Sequence, residues 1–245
     1  MLRKISSYLF LVLLVSGTNI LLAQAPKKPV LQRATQWKPE KGQYYFTHAL
    51  TFEYENKSDK KKGEVVIYVD PVTGTMCFKR EDSYGQTGKN FDFIIAFQDG
   101  KYIYCGADEA GKKMKIIEKV EEVKPDAETL KQQKEDFNTY CIPTGNKRKD
   151  FGWESIEYEL SYARSEEKDK LWLTTTPFGI YPLYGFELIE NVASLPVSFD
   201  YTYIFGNRQL LTEMNSKDAV LKLKSYEPNP FLAITRGYPE VKVGD

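Results

Sequence analysis

The stretch FDFIIAFQDGKYIYC, residues 91–105, indicates the fold class more clearly than any other part of the chain. Its Asp99-Gly100 dipeptide strongly predicts a two-residue β-hairpin turn, because such turns favour a positive φ at their central residues. Before the turn, every second residue has a large apolar side chain, which is typical of a strand with one buried face. The alternating set is Phe91, Phe93, Ile95 and Phe97. The stretch therefore predicts two antiparallel strands joined at residues 99–100.

The same alternation extends towards the N-terminus. Residues 44–54 predict a long two-faced strand, 64–70 a second and 76–79 a short third, with a Pro-Val-Thr-Gly turn at 71–74. Residues 113–120 predict another strand after the hairpin. The first half of the chain therefore reads as a continuous antiparallel meander.

A single helix is predicted in the middle of the chain. Pro125, Asp126 and Glu128 suit the first turn of a helix, because the proline ring needs no hydrogen bond there and carboxylates are favourable at the positive end of the helix dipole. Ala127, Leu130 and Phe137 fall roughly on one face. We expect about three turns, lying over the sheet.

Strands resume in the second half of the chain. Residues 153–164 alternate, with Ile156, Tyr158, Leu160 and Tyr162 on one face, and a charged turn is predicted at 165–170. Further strands are predicted at 171–176, 184–190, 197–205, 209–213 and 219–226. The prediction is a mainly β fold: a curved antiparallel sheet, either a half-barrel or an open barrel, with one covering helix.

The N-terminus has the layout of a secretory signal. Arg3 and Lys4 precede the apolar run 8–15, and cleavage after Ala23 or Ala25 fits the small-residue rule. The expected location is therefore periplasmic or secreted. The predicted organisation is a signal peptide at 1–25, an extended N-terminal segment at 26–42 with several prolines, and a single β-rich domain at 43–245.

The balance of charged residues restricts the kinds of partner that the chain can bind. The signal contributes two of the 34 basic residues and none of the 34 acidic ones, so the mature chain has a formal charge of −2. This balance argues against an electrostatic hold on nucleic acid. The basic clusters at 60–62 and 147–149 are read as solvated turns.

Three cysteines, Cys77, Cys105 and Cys141, occur in a chain predicted to enter an oxidising compartment. One disulfide with a leftover thiol is favoured, with Cys77 and Cys105 as the preferred pair, and three buried free thiols are the alternative. The sequence has no C-x-x-C motif and its only histidine is His48, so neither a metal site nor a cofactor is expected.

Catalytic motifs are scarce. The chain has no G-x-S-x-G elbow, phosphate-binding glycine loop or H-E-x-x-H motif, and His48 lies mid-strand among aromatic residues, where a structural role is expected. Two carboxylate pairs, Glu53 with Glu55 and Glu157 with Glu159, have a spacing that glycoside hydrolysis could use. The solvated outer face of an antiparallel sheet produces the same pattern, and we favour that interpretation.

Residues 91–176 resemble a family of exported bacterial domains of unknown function and, more distantly, the LolA/LppX-like half-barrel carriers of lipoproteins and lipids. The resemblance rests on the hairpin at 97–104, the helix after Pro125, and the strand pair 152–158 with 171–175. The recurring residues of the strand pair are Gly152, Tyr158, Trp172 and Thr174. The resemblance implies a curved antiparallel sheet with a helix on its concave side and a hydrophobic ligand.

The hypothesis from the sequence is an exported, non-enzymatic binding protein that holds an apolar or lipid-like ligand between the sheet and the 125–137 helix. The implied partners are a lipid or other apolar ligand and proteins of the bacterial envelope. The candidate ligand-binding residues, chosen by strand or helix face, are Phe93, Ile95, Phe97, Leu130, Tyr158, Leu160, Tyr162 and Trp172. The alternatives are a secreted structural or adhesion-type β protein with a closed core and, third, a hydrolase.

Overall fold

The structure, a computed structural model, describes residues 28–82, 91–120, 126–162, 165–185 and 206–242. These residues form eleven strands and three α-helices. The strands are β1 Gln43–Asn56, β2 Lys61–Asp70, β3 Thr75–Lys79, β4 Phe91–Ala96, β5 Lys101–Ala107, β6 Lys113–Lys119, β7 Cys141–Asp150, β8 Trp153–Tyr162, β9 Ser165–Thr175, β10 Gln209–Asn215 and β11 Ala219–Ile234. The helices are α1 Lys28–Gln36, α2 Ala127–Tyr140 and α3 Tyr181–Gly185.

All eleven strands belong to one antiparallel sheet, in the order β6-β5-β4-β3-β2-β1-β11-β10-β9-β8-β7. The chain runs outward as a meander from β1 to β6, crosses by α2 to the far edge at β7, and returns to place β11 beside β1. The sheet is not closed, because β6 and β7 lie at opposite edges. The predicted mainly β fold is confirmed.

One face of the sheet carries the larger apolar cluster, which we call the main core. It extends across the middle strands of the sheet and includes side chains from the segment around α3. Gly63 on β2 lies directly opposite Tyr54 on β1, and a Cβ at position 63 would lie 2.6 Å from the tyrosine oxygen. Glycine therefore lets the aromatic ring cover the neighbouring strand closely. The largest fully buried members are Leu50, Phe52, Ile67, Met76, Phe78, Phe91, Ile94 and Leu171.

The opposite face carries a second core at the end of the sheet near α1. Tyr238, from the segment after β11, packs edge-on against Phe93 at 5.6 Å and donates a hydrogen bond to Asp92 at 2.7 Å. Trp37, after α1, packs against Tyr44 and Phe46. The sheet is thus apolar on both faces at this end.

The N-terminal segment differs from its predicted extended conformation, because residues 28–36 form α1. Pro29 lies in the first helical turn, where its missing N–H costs no hydrogen bond. The helix is fastened to β2 by Arg33, whose Nε and Nη2 atoms each bind an oxygen of the fully buried Asp70 at 2.6 Å.

Three other local predictions are wrong. Residues 165–170, predicted as a charged turn, open β9, and both basic clusters lie largely in strands, Lys61 and Lys62 in β2 and 147–149 in β7. Charged residues alternate along these strands because one of their faces meets solvent. The predicted strand 184–190 starts inside α3, while the rest of it, the strand 197–205 and the signal 1–25 lie outside the described residues.

The three cysteines are free and buried, so the preferred Cys77–Cys105 disulfide is wrong. Cys77 is on β3 and Cys105 on β5, with β4 paired between them. Two strand spacings separate their backbones by about 10 Å, too far for a disulfide. Among the described residues, no helix has the length and apolar character needed to span a bilayer.

Candidate functional site

Helix α2 begins with a well-formed cap. The Asp126 carboxylate accepts hydrogen bonds from the backbone N–H groups of Glu128 and Thr129 at 3.0 and 2.9 Å, and from the Thr129 hydroxyl at 2.8 Å. These bonds, led by the Thr129 N–H, lower the pKa of Asp126. The helix ends where the Cys141 N–H binds the Phe137 carbonyl, and β7 begins at Cys141 with no intervening loop.

The face of α2 that meets the sheet is a narrow stripe. Leu130, Gln133, Phe137 and Tyr140 are half-buried, whereas the other helical residues are exposed. Their spacing places them on one side of a helix, and α2 contacts β7 and β8. No residue of α2 is fully buried. The helix therefore rests on the sheet without a closed interface.

The β8 residues beneath the helix are also incompletely buried. Tyr158 and Leu160 are half-buried and pack at the margin of the main core, as does Phe137. Leu160 lies opposite Cys141 in the β7–β8 ladder. Burial and, to a lesser extent, the neighbouring Cys141 raise the pKa of Tyr158. We call the group Leu130, Gln133, Phe137, Tyr158 and Leu160 the α2–β8 seam.

The seam contains one polar atom without a partner. The Gln133 Oε1 atom is buried and has no hydrogen-bond partner among the residues that the structure describes. A buried amide oxygen without a donor costs free energy that a donor entering the seam would recover. Sequence reasoning did not select Gln133, although its position three residues after Leu130 on the same helix stripe could have indicated it.

Three predicted site residues lie in the second core instead. Ile95 is fully buried, Phe93 is 8% exposed, and Phe97 packs edge-on against Tyr44 at 5.8 Å. These residues cannot meet α2, because β4 and β8 lie on opposite sides of β1 in the strand order. Strand β4 also carries a register shift between Phe91 and Phe93. The irregularity places Phe91 in the main core and Phe93 on the other face, although the sequence alternates as if all four residues shared one face.

The remaining two predicted residues also lie away from the seam. Tyr162 is 44% exposed, and its hydroxyl donates a hydrogen bond to Asp169. Trp172 pairs with Glu157, on the face of β9 opposite to Leu171, the partner of Tyr158. The Arg148 guanidinium lies over the Trp172 ring at 3.9 Å. Of the predicted set, Tyr158 and Leu160 lie at the margin of the main core together with Phe137, and Leu130 lies on the half-buried stripe of α2.

A polar cavity of about 470 Å³ lies at the end of the sheet where β1 meets β2. Lys224 bridges two carboxylates beside it, with Nζ 3.1 Å from Glu53 and 2.6 Å from Glu64. Hydrogen bonds that Lys224 donates to Glu64 and Glu53 raise the pKa of its ammonium group. The two carboxylates of the predicted pair therefore bind different lysines. Glu53 binds Lys224, and Glu55 binds Lys62 at 2.9 Å. The cavity is lined by Glu53, Tyr54, Glu55, Lys62, Gly63, Glu64, Val220 and Lys222.

The second predicted carboxylate pair is engaged in a similar way. Glu157 accepts hydrogen bonds from Thr144 and Asn146, both at 2.7 Å, and these lower its pKa. Glu159 binds Lys168 at 2.5 Å. Both carboxylates therefore belong to the ion-paired polar face of β7–β9.

His48 packs on an aromatic neighbour. Its ring stacks on Tyr226 at 4.9 Å, and its Nδ1 atom is 2.8 Å from the Thr47 hydroxyl. Burial lowers the pKa of His48, and the charge of Asp70 opposes this shift. Within the described ranges, no group of three or more His, Cys, Asp or Glu residues is arranged to hold a metal ion.

Comparison with known proteins does not assign a family. No family model and no curated protein matches the chain. Two structures of PNGF-II, in the C2 and P21 space groups, align with TM-scores of 0.40 and 0.41 at 11% and 9% identity. Each alignment covers 81% of this chain, but only 31% and 32% of the respective PNGF-II chains. A DUF1329 family protein from Desulfovibrio piger ATCC 29098 aligns at 10% identity with a TM-score of 0.17, over 82% of this chain and 91% of that one. The resemblance to LolA-like carriers is not confirmed.

Proposed function

We propose that the protein is an exported, non-enzymatic binding protein for an apolar or lipid-like ligand, and that the α2–β8 seam receives the ligand. The observation that carries the proposal is the incomplete burial of the apolar side chains on both sides of the seam. Apolar residues with accessible area gain free energy when a ligand covers them, at roughly 25 cal/mol per Å².

The contrast with the rest of the apolar face supports this location. Leu171 is fully buried and Leu173 nearly so, although they pair with Tyr158 and Ile156 on the next strand. Burial thus declines over one strand spacing, from the closed main core to the half-buried margin under α2. A ligand that enters here meets apolar surface without displacing a packed core.

Helix α2 has the properties of a cover that can separate from the sheet. It has no fully buried side chain to hold it, and its C-terminal end continues directly into β7 at Cys141. Elements with few buried contacts open locally at low free-energy cost. Separation about Cys141 would expose Leu130 and Phe137 on the helix and Tyr158 and Leu160 on the sheet.

The unpartnered Gln133 oxygen narrows the class of ligand. A purely hydrocarbon ligand would leave this acceptor unsatisfied, whereas a lipid with a hydroxyl or amide near its acyl chain could donate a hydrogen bond to it. We therefore expect an amphipathic lipid, with its chain along the seam and a donor group near Gln133.

Lipid extraction and native mass spectrometry test the proposal. Protein purified from its native envelope without detergent should carry an acyl lipid, or the delipidated protein should bind a dansyl-labelled fatty acid saturably. Leu160→Ala should weaken this binding, while Ile142→Ala should not, because Ile142 is exposed and pairs with Glu159 on the other face. The absence of both lipid and probe binding would favour a structural protein with a closed core.

A further inference from the structure

The segment after β11 forms a short piece of parallel strand on the outer edge of β6. The Lys115 N–H donates a hydrogen bond to the Pro239 carbonyl at 2.8 Å, and the Lys115 carbonyl accepts one from the Val241 N–H at 2.9 Å. The side chain of Lys115 also binds Glu240, with 3.5 Å between Nζ and the carboxylate. Because β6 is an edge strand of the sheet, residues 238–241 lie where a neighbouring strand would pair. We call them the edge segment.

An aromatic side chain anchors the edge segment. The ring of Tyr238 packs edge-on against Phe93 at 5.6 Å, and its hydroxyl donates a hydrogen bond to Asp92 at 2.7 Å. The Lys113 ammonium lies over the same ring at 5.0 Å. Tyr238 is half-buried, whereas residues 239–241 are exposed. Two side-chain positions therefore determine how the segment is held, an aromatic residue and an acid two residues later.

The edge segment occupies only part of the available edge. Both backbone groups of Lys115 point outward, so antiparallel pairing with β5 makes those of Ile117 and Lys119 point outward as well. The next bond of a parallel ladder would join the Ile117 N–H to the Val241 carbonyl, and it is not formed. Within the described ranges, the outward backbone groups of Ile117 and Lys119 have no hydrogen-bond partner. A longer extended segment would gain these hydrogen bonds.

The edge strand on the far side of the sheet is protected by its own sequence. Strand β7 contains Pro143, Gly145 with φ 90°, and a register shift between Pro143 and Lys147. Proline and such irregularities discourage pairing with a further strand. Strand β6 contains neither proline nor glycine and pairs with β5 without a register shift. Its edge is therefore suited to accept another strand.

The edge segment can leave β6 at low cost. Two backbone hydrogen bonds, an ion pair and a half-buried ring hold it, and no residue from 236 to 241 is fully buried. Elements with few buried contacts open locally at low free-energy cost. The turn before the segment joins the Tyr238 N–H to the Thr235 carbonyl at 3.0 Å, and its corner residues Arg236 and Gly237 are exposed. This turn can act as the hinge.

From this geometry we propose that the outer edge of β6 is a strand-addition site for an extended segment of a partner protein, and that the edge segment is its built-in, displaceable occupant. The partner segment runs parallel to β6 and carries an aromatic residue followed two positions later by an acidic one, as Tyr238 and Glu240 do. In strand addition, backbone hydrogen bonds supply affinity and alternate side chains supply specificity. The proposal goes beyond ligand binding at the α2–β8 seam and does not depend on it.

Fluorescence anisotropy with a labelled peptide copy of residues 237–245 tests the proposal on the full chain. In the unmodified protein the edge segment competes with the peptide at the high effective concentration of a tethered ligand. Tyr238→Ala with Glu240→Lys weakens this competitor and should increase the affinity for the peptide at least about tenfold. A peptide that itself carries Glu240→Lys should bind this variant about fivefold more weakly, because Lys115 then meets a like charge.

A backbone variant keeps the test decisive if the double variant does not fold. Val241→Pro removes the N–H that binds the Lys115 carbonyl, at a side chain that is 45% exposed, and should increase the affinity for the peptide about fivefold. The matched control is Lys242→Pro, at an exposed residue whose N–H has no hydrogen-bond partner in the described part of the chain. It should bind the peptide as the unmodified protein does.

Three results would overturn the proposal. The first is that neither Val241→Pro nor the double variant binds the peptide. The second is that Val241→Pro and the unmodified protein bind the peptide with equal affinity. The third is that the acidic and the charge-reversed peptides bind equally well, because the ion pair with Lys115 would then have no part in recognition.

Discussion

Cys141, where helix α2 becomes strand β7, lies directly opposite Leu160 in the β7–β8 ladder. This pairing fixes the end of α2 above β8 and determines which side chains form the seam. Because the helix joins the sheet without a loop, any movement of α2 must pivot near Cys141. The incomplete burial of Leu130, Phe137 and Leu160 on the two sides of this junction is the basis of the proposed ligand site.

The buried oxygen of Gln133 leads to a prediction with two readouts. Gln133→Leu should raise the free energy of unfolding by about 1 kcal/mol, because it removes a buried acceptor that has no donor. It should also weaken binding of a hydroxylated fatty acid relative to the unsubstituted chain. Urea unfolding and competition against a fluorescent fatty acid measure the two effects. A stability loss with unchanged selectivity would show that Gln133 has a packing role alone.

The ion pair between α1 and β2 gives a prediction about stability. Arg33→Ala leaves the buried carboxylate of Asp70 without its cation and should cost about 3 kcal/mol, since unpaired buried charges are strongly destabilising. Arg33→Lys should be intermediate, because an ammonium cannot reproduce the two-pronged contact. Denaturant unfolding measures both variants, with Arg236→Ala, at an exposed arginine, as control. Equal stability of Arg33→Ala and the unmodified protein would contradict the proposed role of α1 as a fastened element.

The buried thiols predict how stability depends on pH. Burial raises the pKa of Cys105 to about 12 from an ordinary value of 9.0, and that of Cys141 likewise to about 12. The folded state therefore keeps protons that the unfolded chain releases above pH 9.0. This contribution to stability is complete below pH 9.0 and is lost as the pH rises towards about 12.

Comparison of Cys105→Ala with the unmodified protein isolates the contribution of one thiol. The variant should lose stability less steeply between pH 9.0 and 12, because it lacks the Cys105 thiol, and the charge of that thiolate no longer raises the pKa of Cys77, Tyr44 and Tyr238. Urea unfolding at several pH values provides the slopes. Identical slopes would show that the Cys105 thiol ionises as easily in the folded protein as in the unfolded chain.

The sheet was predictable because its signals are local. The Asp99-Gly100 turn and the alternation around it depend on neighbouring residues, and the structure has β4 and β5 on either side of this turn. Helix α2 was also predicted, since its cap and its apolar spacing lie within one segment.

The candidate site was harder to predict because it depends on which face each strand buries. In β4 both faces are apolar, and the register shift after Phe91 reverses the face of Phe93, which alternation alone cannot reveal. The prediction for Trp172 failed for a different reason. Its immediate neighbours Leu171 and Leu173 face the main core, whereas Trp172 faces the opposite, polar side and meets Arg148. Gln133 was missed because the search for an apolar site considered apolar residues, although its position three residues after Leu130 places it on the same stripe of the helix.

Probe binding and unfolding of Leu130→Asp, measured on one sample, test the central claim most directly. Leu130 is half-buried on the stripe of α2 that meets β8, and Asn138→Asp adds a negative charge at an exposed position of the same helix as control. If the seam receives a ligand, Leu130→Asp should lose affinity for a dansyl-labelled fatty acid at least about tenfold while stability falls by no more than about 1 kcal/mol. Asn138→Asp should change neither quantity appreciably. If the unmodified protein binds no probe and Leu130→Asp loses several kcal/mol or fails to fold, the seam is part of a closed core and the account of a lipid-binding protein is contradicted.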